Sequence, residues 1–114
     1  MKLKDIVGIL EANVVCGLEN LDREISFAFA SDLMSDVLTV NRNNLLLLTG
    51  LTNIQTIRTS EMADVTNIVL VRNKKATPEM IQLARENNIV LLECRFSMFR
   101  ASGLLFNAGL EPVY

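Results

Sequence analysis

Leu45-Leu46-Leu47-Leu48-Thr49-Gly50-Leu51-Thr52-Asn53 is a run of leucines that ends in a polar turn, and the same arrangement recurs twice downstream. Ile68-Val69-Leu70-Val71 leads into Arg72-Asn73-Lys74-Lys75, and Ile89-Val90-Leu91-Leu92 leads into Glu93-Cys94-Arg95-Phe96-Ser97. Continuous short apolar runs, separated by helix-length segments, mark strands buried on both faces of a parallel sheet. In such sheets ligands collect beyond the carboxyl ends of the strands, where these three turns fall.

The intervening segments carry helix signals. Thr52 and Gln55 have the spacing of a capping box. Thr77-Pro78-Glu79 supplies a cap, a proline at the first helical position and an acid in the first turn. Ser97 caps a last helix that ends at Asn107-Ala108-Gly109, with Pro112 preventing its continuation.

Upstream, Leu3, Ile6, Val7 and Leu10 form the apolar stripe of a helix from Leu3 to about Ala12. A short strand, Val14-Val15-Cys16, ends in a turn over Gly17 to Asp22. The segment 24–30 alternates large and small side chains, as a strand with unequal faces does. Ser31-Asp32 then caps a helix through about Val40, and Asn41-Arg42-Asn43-Asn44 is a polar loop. The whole reads as one α/β domain over residues 1–114, a three-layer sandwich whose mostly parallel sheet has about five strands.

Composition bounds the function. Half of the 114 residues are hydrophobic and the mean hydropathy is +0.31. The apolar runs nonetheless fall far short of the roughly 18–20 residues that span a bilayer. Asp5 and Glu11 interrupt the start of the chain, so no signal-type segment is expected and the reading is cytoplasmic, without a membrane partner. Net charge is −2, which excludes non-specific nucleic-acid binding as an expectation. Residues 1–40 carry 3 basic and 7 acidic side chains and residues 41–114 carry 8 and 6, so positive charge gathers in the half with the three strand–turn units. Cys16 and Cys94 form no CxxC and read as reduced, packed thiols. There is no histidine, hence no usual general base, no usual partner for a nucleophile and no common transition-metal ligand. Neither GxxxxGK[ST] nor GxGxxG occurs. Cys94 lacks a base, and Asp32, Asp36, Glu61 and Asp64 form a hard-cation site only if folding converges them. No catalytic residue, metal or cofactor is expected.

What remains is the strand-end edge. Thr49, Gly50, Thr52, Asn53, Gln55 and Arg58 come from the first turn and its helix, Arg72 from the second, Arg95 and Ser97 from the third, with Asp32 joining from the preceding strand. Helix N-termini beside arginine forks favour an anion such as phosphate, a nucleotide or an acidic metabolite. Helix capping explains many of the same residues, and Arg58 has Glu61 as a neighbour on its own helix. The last helix is apolar nearly all round, which calls for cover on more than one side. Phe96, Met98, Phe99, Leu105 and Phe106 are therefore candidates for a homodimer interface.

The turn Leu48 to Gln55, the following Ile57-Arg58-Thr59-Ser60-Glu61-Met62, and Arg95-Phe96-Ser97-Met98-Phe99 resemble the DRTGG domain family. The opening Leu3-Lys4-Asp5-Ile6-Val7 and the stretch Phe29 to Leu38 resemble its free-standing members. The namesake Asp-Arg-Thr-Gly-Gly does not occur, because the corresponding turn lacks the Asp-Arg pair. The resemblance implies a fold similar to the N-terminal domain of HPr kinase/phosphorylase and to a domain of some phosphotransacetylases. It implies a regulatory, dimer-forming role beside CBS-pair modules or catalytic domains, and the missing phosphate loop argues against a kinase activity. The combined expectation is a non-catalytic regulatory domain, homodimeric, binding a small anionic ligand at the sheet edge. The alternative is a protein-interaction module docking through its last helix.

Overall fold

A computed structural model describes all residues, 1–114. In chain order the elements are α1 (Leu3–Leu10), β1 (Asn13–Cys16), a 3-10 turn (Leu18–Asn20), β2 (Phe27–Ala30), α2 (Met34–Val37) and β3 (Leu45–Thr49). There follow α3 (Ile54–Met62), β4 (Asn67–Leu70), α4 (Pro78–Glu86), β5 (Val90–Glu93), α5 (Met98–Asn107) and β6 (Glu111–Pro112). The sheet order is β1-β5-β4-β3-β2-β6. Only β1 runs antiparallel, against β5; every other neighbouring pair is parallel.

The leucine run and its two successors lie side by side in one direction because each must be covered on both faces. Leu46, Leu48, Val69, Val71, Val90 and Leu92 point into a core closed by Leu3, Ile6 and Leu10 of α1 and Ala101 and Leu105 of α5. Their alternates Leu45, Leu47, Ile68, Leu70 and Leu91 point into a second core with Val37, Ile57, Met80 and Ala84, from α2, α3 and α4. Each such side chain withdrawn from water stabilises the fold by about 1.5–3 kcal/mol. The result is the expected three-layer α/β sandwich, with one strand more than the sequence reading counted. The extra one is β6, an exposed two-residue edge strand beside β2. Pro112, read as a helix stop, also sits in that strand; an edge tolerates its missing N–H.

Local differences have local causes. The first helix ends at Leu10, where Glu11 turns left-handed at φ 50°. The helix expected from Ser31 to Val40 is a single turn, Met34–Val37, whose N-cap Leu33 offers no side-chain acceptor. Ser31 and Asp32 do not cap it. The Ser31 hydroxyl accepts the Leu33 N–H at 3.0 Å, and Asp32 is drawn toward β3. Asn53, not Thr52, caps α3, accepting the Gln55 N–H at 3.0 Å. Thr77 and Ser97 cap α4 and α5 as read, accepting from the Met80 and Arg100 amides.

Candidate functional site

The carboxyl ends of β2, β3 and β4 are neighbours, and a polar cluster joins them. Asp32, two residues past β2, accepts the Gly50 N–H at 2.7 Å and the Thr49 hydroxyl at 3.0 Å through Oδ1. Its Oδ2 accepts from Arg72, one residue past Val71, at 2.8 Å. Thr49 is fully buried, and its hydroxyl also accepts the Leu51 N–H at 3.2 Å, so donor and acceptor are both satisfied. Gly50 lets the Arg72 fork lie close: a Cβ there would stand 2.5 Å from the guanidinium carbon and displace that side chain from its present position. Arg72 and Asn73 are both left-handed, at φ 61° and 59°. That bend sends the Arg72 N–H to the Phe96 carbonyl at 2.7 Å and the Asn73 N–H to the Cys94 carbonyl at 3.1 Å.

Those two main-chain bonds matter for where a ligand has room. The helix after β4 covers one face of the sheet and the helix after β5 the other, so the crevice of a doubly wound sheet belongs between these strands. Here main chain closes it. The polar cluster lies one strand further along, with the Asp32 and Arg72 side chains 41% and 45% exposed.

Burial pushes the Asp32 carboxyl up, but the Gly50 N–H, the Arg72 fork and the Thr49 hydroxyl together outweigh it, and the net shift is downward. A carboxylate held below its ordinary value of about 3.9 contributes stability that is complete above that value and disappears as pH falls through the native value. The urea midpoint should therefore drop as pH is lowered from about 4, and Asp32→Asn should flatten that part of the profile. An unchanged acid limb in Asp32→Asn would show that the cluster holds no preferential charge.

The other expected ligand residues do not converge. Thr52 and Gln55 flank the α3 cap, and Asn53 makes it. Arg58 is exposed and forms no ion pair, not even with Glu61. Arg95 turns away to Glu11 at the end of α1, at 2.8 Å. Ser97 is occupied as the α5 cap. Of the ten candidates, Asp32, Thr49, Gly50 and Arg72 come together, because β2, β3 and β4 are adjacent and Asp32 accepts from the other three. Lys75 lies 3.8 Å from Glu93, which also accepts the Ala76 N–H.

The reactive groups are committed elsewhere. Cys94 is buried, its thiol donating to the Leu10 carbonyl at 3.4 Å. Burial raises the pKa of both cysteines, in Cys94 despite the Phe96 N–H and the nearby arginines. A thiol held protonated is a poor nucleophile. No three acids or thiols gather in metal-binding geometry, so Asp32, Asp36, Glu61 and Asp64 do not converge. No helix is long and apolar enough to cross a membrane.

The expected interface residues divide by helix face. Phe96 and Leu105 are 4% and 1% exposed and belong to the chain's own core. Phe96 is stacked under the guanidinium groups of Arg95 and Arg100, 5.0 and 3.9 Å from its ring centre. Met98 is half-buried. Phe99 and Phe106, in contrast, are 90% and 67% exposed. With Gly103 they lie at i, i+4, i+7 and form an outward stripe. Phe99, Gly103 and Phe106 also line one side of an apolar groove of about 370 Å³, whose other lining includes Ala28, Ala30, Leu48 and Pro112. Ala28 and Ala30 are the small-residue face of Phe27-Ala28-Phe29-Ala30, whose alternation was legible; that it would lie open beside α5 was not.

The architecture of this sheet and its helices has a solved counterpart. The fold is similar to the crystal structure of the CBS and DRTGG domains of the regulatory region of Clostridium perfringens pyrophosphatase, complexed with its activator diadenosine tetraphosphate. The TM-score is 0.75 over 98% of this chain and 48% of that one, at 18% identity. The chain thus spans about half the length of that neighbour, and the likeness is one of architecture. No protein-family model and no curated protein matches the sequence.

Proposed function

We propose that this chain is a non-catalytic regulatory domain of the DRTGG type, acting in the cytoplasm as a homodimer and binding a small anionic ligand at the carboxyl edge of its sheet. The observation that carries the reading is the convergence of Gly50 N–H, Thr49 hydroxyl and Arg72 on a single carboxylate. That donor set recognises phosphate and carboxylate oxygens. The shared fold supports it, since the pyrophosphatase regulatory region is complexed with a phosphate-rich activator.

Ligands that bind only the native state raise its stability by RT ln(1 + [L]/Kd). Diadenosine tetraphosphate or inorganic phosphate at 100 times Kd should stabilise by about 2.7 kcal/mol, on the order of 10 °C in melting temperature. Arg72→Ala should abolish the shift. Absence of any shift across phosphates, nucleotides and acidic metabolites would reject the ligand and leave the second reading, assembly alone. The Phe99–Gly103–Phe106 stripe favours that second reading independently. It places protruding rings and a receiving groove on one face, the arrangement that two copies related by a two-fold axis satisfy reciprocally.

A further inference from the structure

Asp32 occupies the place that a bound anion would take. Its two oxygens accept a main-chain N–H, a hydroxyl and a guanidinium at 2.7, 3.0 and 2.8 Å. The donors belong to rigid parts, the ends of β3 and β4, both buried along their length. The acceptor belongs to a weak one. Asp32 precedes a one-turn helix with no side-chain cap, and Leu33 and Leu38 around it are exposed. A single helical turn has little stability of its own, so the hydrogen bonds of Asp32 anchor the start of the segment, while Val37, 1% exposed in the second core, anchors its end. Both partners of the ion pair border solvent, whereas Thr49 is fully buried beside them.

We infer that Asp32 is an intramolecular plug: a phosphate or carboxylate group of a ligand takes its place on Gly50, Thr49 and Arg72, and its departure loosens the segment 31–36, with Val37 still seated in the core. This rests on the ligand reading above and states how such a ligand would act. Binding is coupled to loosening of the start of α2, and the coupling is reciprocal. The plug lowers apparent affinity by the fraction of molecules in which the cradle is open. The depressed pKa of Asp32 agrees with a strongly held carboxylate.

The test follows the Gly50 amide resonance of the isotope-labelled chain during titration with inorganic phosphate, and separately with diadenosine tetraphosphate. Asp32→Ala should lower the dissociation constant about tenfold or more, as removal of a competitor that is in place most of the time requires. Asp32→Asn retains an oxygen for Gly50 and Thr49 but loses its charge on Arg72, so it keeps the segment folded and should tighten binding less. Adding Arg72→Ala should eliminate the response. In the wild type, hydrogen exchange of residues 33–36 should accelerate when ligand is present. If the wild type binds through Gly50 but neither Asp32 variant binds more tightly, the plug is wrong and the ligand reading survives. Binding in the variants alone supports the plug and removes the ligand reading for the wild type. No Gly50 response in any variant overturns both.

Discussion

Replacing Phe99 and Phe106 together by Asp is expected to abolish the proposed dimer, raising its dissociation constant at least a thousandfold, or about 4 kcal/mol as a lower bound. Both rings stand out from α5, 90% and 67% exposed, on the same stripe as Gly103. An aromatic anchor seated in a pocket typically contributes about 2 kcal/mol or more to an interface, and a two-fold axis uses each one twice. The receiving groove is lined by Ala28, Ala30, Leu48, Pro112 and the two rings themselves, so the double substitution alters both anchor and receptor, and Glu111 is the groove's one charged residue. An aspartate carried into that groove would therefore meet no cation. The isolated subunit should be indifferent, because exposed substitutions away from special features usually stay within about 0.5 kcal/mol. Light scattering across a concentration series reads the outcome, with circular dichroism as the fold control. A wild type that is monomeric at every concentration would reject the interface outright.

Gly17→Ala should destabilise the fold by about 2–5 kcal/mol, a large part of the roughly 5–15 kcal/mol typical of a domain. Two strains add. Gly17 has φ +92°, which an L side chain adopts poorly, and its new Cβ would stand 2.7 Å from Val90 Cγ2 and 3.0 Å from Val90 Cα. The second contact is backbone and cannot rotate away. The position follows an irregularity in the β1–β5 register between Val14 and Cys16, where the chain leaves the sheet for the 3-10 turn. Gly8→Ala is the opposite case: it lies in α1 with nothing within 4 Å of the new methyl. Ala replaces Gly in a helix with a gain of about 1 kcal/mol. Urea denaturation of the pair should give midpoints displaced in opposite directions; equal displacements would refute the steric account of Gly17.

The layered sheet was legible because burial on both faces writes itself as uninterrupted apolar runs, and Leu45–Leu48, Ile68–Val71 and Ile89–Leu92 are such runs. The Thr77 and Ser97 caps were legible because a cap interacts only with its own helix. The misreading of Asp32 and of the arginines has one cause: each depended on which elements became neighbours. Ser31 and Asp32 look like helix caps in isolation, but adjacency of β2, β3 and β4 gives Asp32 three better donors, and α2 shrinks to one turn. Arg58, Arg72 and Arg95 look equivalent along the chain. Only Arg72, bent left-handed at the end of β4, reaches the carboxylate, while Arg95 finds Glu11 of α1 84 residues away. The outward stripe on α5 was visible as excess hydrophobicity. Its division into inner Phe96 and Leu105 and outer Phe99 and Phe106 required the helix to be docked first.

The two margins of the sheet have a consequence for how copies of this chain meet. At one margin Glu111 brings a charge and Pro112 offers no amide hydrogen for another backbone to use. At the other, the irregular register of β1 spoils the even spacing that a templated strand would need. Ladder extension from molecule to molecule is thus blocked at both ends, although the interior is made of segments that would stack readily into fibrils if unfolded. Concentrated native protein should remain free of cross-β polymer, and contact between copies is left to helical surface.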